Sequence, residues 1–158
     1  RASLYGVFEN KEEIFRSLSA QLHDRSLADA ETQLKGNGAA DPDLASRVSG
    51  ALLARIRPFL EVVEQSAHGS EIYDESNRLC GDLVLASSER FLGMLTTTLN
   101  AAARKGEVDL KGAGLTAPAT AELIQLGAMG LKQGARDVAT VEKRVQSFVS
   151  VFFAGLQG

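Results

Sequence analysis

Apolar residues recur along this chain at intervals of three and four, the signature of amphipathic helices, and no stretch alternates long enough to make a strand. Ile14, Phe15, Leu18 and Leu22 form the first stripe and predict a helix from Lys11 to about Lys35. Asn10 is a good N-cap, and Glu13 three residues later completes a capping box. Lys35 places a cation in the last turn, and Gly36-Asn37-Gly38 breaks the helix. Asp41-Pro42 opens a second helix, with the aspartate as cap and the proline at its first position. Leu44, Val48, Leu52, Ile56, Phe59, Leu60 and Val63 are its stripe. Pro58 falls inside it, removes one backbone hydrogen bond and crowds the carbonyl of Ala54. A kink is expected there, either simply tolerated or shaping the wall of a pocket.

His68-Gly69-Ser70 is a short break, with Ser70 a cap for a short helix over Glu71 to Asn77. That helix merges into a long one from Ser76 to Lys105, closed by the cations Arg104 and Lys105 and by Gly106. Glu107 to Ala117 is a loop, and Pro118 starts a helix that runs to about Ala135. Asp137 caps the last helix, whose stripe is Val141, Val145, Phe148, Phe152 and Leu156, widened by Val149 and Phe153. Five or six long helices with short connections predict an all-α protein, an antiparallel helical bundle.

Composition adds limits. With 158 residues, 44% hydrophobic and 23% charged, the chain suits one soluble domain with a sizeable core. A net charge of -3 argues against the body itself being a nucleic-acid surface, which needs clustered cations. The single cysteine, Cys80, excludes an internal disulfide framework and fits a reducing cytoplasm. No apolar run is long enough to span a bilayer, so no membrane partner is expected.

Signs of catalysis are lacking. His23 and His68 have no metal-ligand spacing to each other or to Cys80, and no glycine-rich loop stands between a strand and a helix. Cys80 has no nearby base and suits a small core residue better than a nucleophile. No enzyme, metal or cofactor is expected. The informative face lies on the long helix, where Cys80, Ser87, Phe91, Met94 and Thr98 share one side, flanked by Leu83 and Leu95. Ser87 and Thr98 put hydroxyls on an apolar face. Either each bonds the carbonyl four residues back, or they line a cavity as polar anchors. Met94 and Met129 suit an adaptable pocket or a core equally well. Tyr73, Asn77 and Arg90 stand near the rim. With Phe59 and Val63, the candidate ligand-binding set is Phe59, Val63, Tyr73, Cys80, Ser87, Phe91, Met94, Thr98 and Met129. On the penultimate helix, Gly127, Gly130 and Gly134 share a face with Leu123, a costly use of glycine that asks for close helix approach. Phe148 and Phe152 on the last helix are the matching knobs, for either a dimer interface or packing within the chain.

The first fifteen residues carry a resemblance. Ser3-Leu4-Tyr5, Phe8 and Lys11-Glu12-Glu13-Ile14-Phe15 resemble the end of the helix-turn-helix in TetR-type (tetracycline-repressor-like) transcription regulators. In that family a recognition helix ends at Leu-Tyr, and Lys-Glu-Glu begins the helix joining the DNA-binding head to the body. The resemblance implies a head remnant over 1–10, a connecting helix over 11–35 and a ligand-binding and dimerisation domain over 36–158. It also implies an N-terminally incomplete chain. DNA contacts would fall on Arg1, Ser3, Tyr5 and Lys11, the last where a helix N-terminus and a cation converge on a phosphate. The family pattern departs at Gly6-Val7, where many relatives have an aromatic residue or histidine. The implied function is a homodimeric repressor released from DNA by a small, mainly apolar molecule. The alternative is a helical small-molecule sensor without DNA binding.

Overall fold

The computed structural model describes residues 11–36, 42–65, 68, 71, 74, 75, 78–135 and 137–157. Among these the chain is all-helical, with five long helices and no strand: α1 (Lys11–Lys35), α2 (Leu44–Gln65), α3 (Gly81–Lys105), α4 (Ala117–Leu131) and α5 (Val138–Ala154). α1 packs on α2 and α3, α3 on α4, and α2 on α5, while α4 and α5 meet more lightly. The helices therefore close a ring, and its thinnest seam lies between the last two.

Each helix buries the residues that its spacing brings to one side. α2 buries Leu44, Val48, Ala51, Leu52 and Ile56, and it continues through Pro58 to Gln65. α3 buries Ser87, Phe91, Leu95, Leu99 and Ala102. α5 buries Val141, Val145, Val149 and Phe153, with Phe148 and Phe152 at the edge of the stripe. α1 departs from the pattern. The expected stripe begins with Ile14, Phe15, Leu18 and Leu22, yet Leu18 is 60% exposed, and the buried positions are Ser19, His23, Ser26, Leu27, Ala30 and Leu34. Ile14, Phe15 and Leu22 are half-buried, so the fully buried positions in the first half of α1 are polar and those in its second half mostly apolar.

Several helix ends differ from expectation by a few residues. α2 is capped by Asp43, whose Oδ1 accepts from the Ser46 amide at 2.7 Å; Asp41 and the proposed caps Asn10 and Ser70 lie outside the described residues. α3 begins at Gly81, not Ser76, and Cys80 is its N-cap residue without a side-chain capping bond. It stops where expected, at Gly106 with φ 76°. α4 starts one residue before Pro118, with Thr116 as cap, and ends at Leu131 rather than near Ala135. Gly134 has φ +67° in the turn that follows, a backbone conformation that disfavours a side chain. The 107–117 connection is not a bare loop, because Val108 and Leu110 are buried and the Asp109 amide donates to the Leu156 carbonyl at 2.8 Å.

Polar ties cross the ring. Arg47 of α2 donates to the Leu34 carbonyl at the end of α1 and pairs with Glu107 at 2.6 Å. Arg16 of α1 donates to the Leu79 carbonyl at 2.6 Å and grips both carboxylate oxygens of Asp82 at 2.9 and 2.7 Å. Asp137 accepts from the Thr140 amide at 2.6 Å, the cap the sequence predicts. Replacing Asp137 by alanine is expected to lower stability by about 1 kcal/mol. Urea unfolding should show a lower midpoint with an unchanged slope.

Candidate functional site

Two features stand out once the helices are in place: a polar cluster between α1, α2 and α3, and an apolar surface on α4 and α5. The cluster follows from the buried face of α1. Ser19, His23 and Ser26 sit four and three residues apart, the spacing that leucines take in an ordinary core. From α2, Arg55 donates to the Ser26 hydroxyl, and its guanidinium lies 5.6 Å from the centre of the Phe91 ring of α3. Phe59, one turn beyond Arg55, has its ring 4.7 Å from the His23 ring, tilted by 41°. Ser87 lies one turn before Phe91 on the same buried face of α3.

The electrostatics of this cluster are uncompensated. Among the described residues no carboxylate pairs with Arg55. Burial, and secondarily the nearby Arg90, push its pKa down from 12.5 to about 10, so it remains charged at neutral pH. Arg90 itself is bound to Asp24 at 2.8 Å. The pKa of His23 is lowered from 6.5 to about 4, chiefly by burial and then by Arg55, with Asp24 opposing. His23 is therefore neutral at physiological pH. Its Nδ1 has no hydrogen-bond partner, and neither do the buried hydroxyls of Ser19 and Ser87. Folded proteins pair nearly all such groups, because each orphan costs about 1–3 kcal/mol. Three orphans on two neighbouring helices, beside a half-buried unpaired cation, are a concentration that packing alone does not explain.

The residues expected to bind a ligand separate into groups. Ser87 and Phe91 are buried at this cluster, and Phe59 and Val63 are half-buried on α2. Met94 is half-buried against the core, and the centre of the buried face passes through Leu95 instead. The two hydroxyls resolve differently. Thr98 donates to the Met94 carbonyl at 3.0 Å, four residues back, whereas Ser87 makes no such bond. Cys80 is a free, fully buried thiol just ahead of α3, not part of its face. Met129 does not join the group, because it is 56% exposed on α4. Tyr73 and Asn77 lie outside the described residues.

Sequence reasoning missed Ser19, His23, Ser26 and Arg55. The signal for the first three is their core-like spacing, which goes unnoticed when a stripe is sought among apolar residues alone. Arg55 carried no signal, since arginines line exposed helix faces as a rule. Among the described residues no three His, Cys, Asp or Glu side chains gather as a metal ion would require. None of the helices there is long and apolar enough to cross a membrane.

The second feature is an apolar surface. Leu123, Leu126 and Met129 of α4, three residues apart, and Val151 of α5 stand exposed, Val151 at 76%, while Leu131, Phe148 and Phe152 are half-buried. Leu131, Phe148, Val151 and Phe152, with Arg144, line an open hollow of about 570 Å³. The three glycines assigned to one face have three separate environments. A Cβ on Gly127 would stand 2.5 Å from Cζ of Phe148, so that glycine admits a ring of its own chain. Gly130 is open, with nothing within 4 Å of a Cβ placed there, and Gly134 belongs to the turn beyond α4. The Phe148 and Phe152 rings lie 5.7 Å apart.

Of the residues assigned to DNA, Arg1, Ser3 and Tyr5 lie outside the described residues, and Lys11 is exposed as the first residue of α1. No family model, curated protein or solved structure matches the chain.

Proposed function

We propose that the chain is the sensing and pairing body of a homodimeric transcription regulator resembling the TetR type. In this reading a small molecule held between α1, α2 and α3 changes the setting of α1 and so releases DNA. One observation carries it: in the first half of the helix that the resemblance joins to a DNA-binding head, the fully buried side chains, Ser19 and His23, are polar and have unpartnered atoms. In this reading α1 has two settings, and a ligand preferring one shifts the balance by its differential affinity.

The exposed apolar surface of α4 and α5 supports the pairing. Monomeric proteins seldom leave several large apolar side chains together in water. Joined across that surface, two copies would carry their heads to successive major grooves, about 34 Å apart. The surface is self-complementary in kind, with the open backbone at Gly130 near Leu126 and with Phe148 and Phe152 across the seam.

The experiment is in two parts. Leu126→Arg combined with Val151→Arg should turn a sedimenting dimer into a monomer of unchanged helicity; a dimer that survives removes this surface from the proposal. Footprinting the full gene product on the DNA upstream of its own gene should give a protected, two-fold symmetric site at low salt. No sequence-specific protection defeats the regulator reading and leaves a sensor without DNA binding.

A further inference from the structure

The ligand's chemical class is written in the polar cluster. Among the described residues Arg55 is the charged side chain that reaches both the Ser26 hydroxyl and the Phe91 ring, and no carboxylate there neutralises it. On the buried faces of α1 and α3, Ser19 and Ser87 are each more than nine-tenths buried with hydroxyls that have no partner, and His23 is equally buried with Nδ1 unpartnered. Arg55 offers donors only, and each of the two hydroxyls has a proton to give. Apolar rings, those of Phe59 and Phe91, complete the surroundings.

We propose that this cluster binds the carboxylate of an amphipathic acid, with Arg55 pairing to the carboxylate and Ser87, one turn from Phe91, supplying a hydrogen bond to it. The proposal deepens the effector site proposed above and rests on that reading. A carboxylate has two acceptor oxygens, about four lone-pair sites and no donor, and the guanidinium fork matches it in two parallel bonds. The ionised head supplies the counter-charge that Arg55 lacks. The ligand carries one negative charge, because the cluster presents one cation: His23 is neutral, and Arg90 is already engaged by Asp24. A phosphate monoester, with close to two charges, would leave one unmatched in a half-buried site. The aromatic rings favour a flat or aliphatic body behind the acid. This makes the acid, not the apolar body, the part that the protein distinguishes. An alcohol of the same shape can accept one bond from the guanidinium but brings no counter-charge, and an amine is repelled by it.

The test uses 2-naphthoate, the matching alcohol 2-naphthalenemethanol, the matching amine and 2-naphthyl phosphate, each titrated calorimetrically into the chain. The carboxylate should bind about ten- to a hundred-fold more tightly than the alcohol, the range expected for a charge-assisted bond to a partly buried cation. Arg55→Met should erase that preference while circular dichroism shows unchanged helicity. Arg55→Lys should keep part of it, and Ser87→Ala should weaken the acid without altering the alcohol. Equal affinity for acid and alcohol, tighter binding of the phosphate, or a preference that survives Arg55→Met overturns the proposal. So does binding of none of the four probes. These outcomes separate from failure of the regulator reading, which is decided by DNA protection without any of these compounds. A chain that binds acid and alcohol alike, yet protects DNA, loses only the assignment of the ligand class.

Discussion

Leu95→Ala is expected to lower the unfolding free energy by about 2–5 kcal/mol, the range for emptying a leucine-sized space in a packed interior. Leu95 is fully buried in the middle of α3, the helix that packs on both α1 and α4. Leu99 and Phe91, one turn to either side, and Ile124 of α4 belong to the same core. Helical neighbours held on two sides cannot close fully around the missing atoms, so most of the transfer cost is joined by a cavity cost. Urea unfolding of wild type and variant measures the change. The midpoint should fall while the slope stays constant, because the surface exposed on unfolding barely alters. Met94→Ala, next in sequence but half-buried, serves as the comparison and should cost clearly less. Equal losses at the two positions would show that the core is not centred where the buried residues place it.

Acidification from pH 7 to pH 4 is expected to remove about 3 kcal/mol of stability through His23 alone. In the unfolded chain this imidazole takes a proton near pH 6.5, whereas in the fold it resists until about pH 4. Between those values the unfolded state binds more protons than the folded one, so stability falls as the pH falls. The groups acting on His23 come from all three helices: Arg55 of α2 disfavours the imidazolium, Asp24 of α1 favours it, and Arg90 of α3 offsets Asp24 by pairing with it. Carboxylates act in a different window. Asp43 and Asp137 have lowered pKa values from accepting backbone amide bonds, and Asp82 is lowered to about 2 mainly by its bond from Arg16. What these acids contribute is present above the ordinary carboxylate range and is lost only as the pH falls below about 4. The two windows make the prediction specific. In His23→Gln the loss between pH 6.5 and pH 4 should largely vanish, whatever its effect at pH 7, and the loss below pH 4 should remain. A wild-type-like acid limb above pH 4 in that variant would contradict the account.

The architecture was legible because helical periodicity is a strong local signal. Leu44, Val48, Leu52 and Ile56 recur with the spacing that α2 buries, and Val141, Val145 and Val149 do the same on α5. Termination at Gly106 and capping at Asp137 were equally legible, since each depends on residues within a turn of the end. Caps that compete at close range were not. Asp41, Pro42 and Asp43 all suit a helix start, and the chain uses Asp43, whose carboxylate reaches the Ser46 amide. The candidate site was half legible. Ser87 and Phe91 declared themselves on an apolar face, and Phe59 was already part of a stripe. Arg55 and the row from Ser19 to Ser26 did not, because a polar residue turned inward differs from one turned outward only in what the neighbouring helix presents. The same limit applies to Met129 and Gly134. Their helical register fitted a pocket and an interface, but exposure and the early end of α4 depend on tertiary contacts.

The division of α1 into an apolar and a polar half has a mechanical consequence. Its 25 residues make a rod about 37 Å long. Leu27, Ala30 and Leu34 clamp one end in the core, and Arg47 holds the Leu34 carbonyl there. That end is the fulcrum. Lys11 stands about 28 Å from Ala30, so a tilt of about 5° sweeps it through roughly 2.5 Å. Near the tip Arg16 holds the rod to Asp82 and Leu79, a latch of directional polar bonds beside the half-buried Ile14 and Phe15. Such a latch has a definite reach and is weakened by salt, so ionic strength bears on how firmly this end of α1 is held.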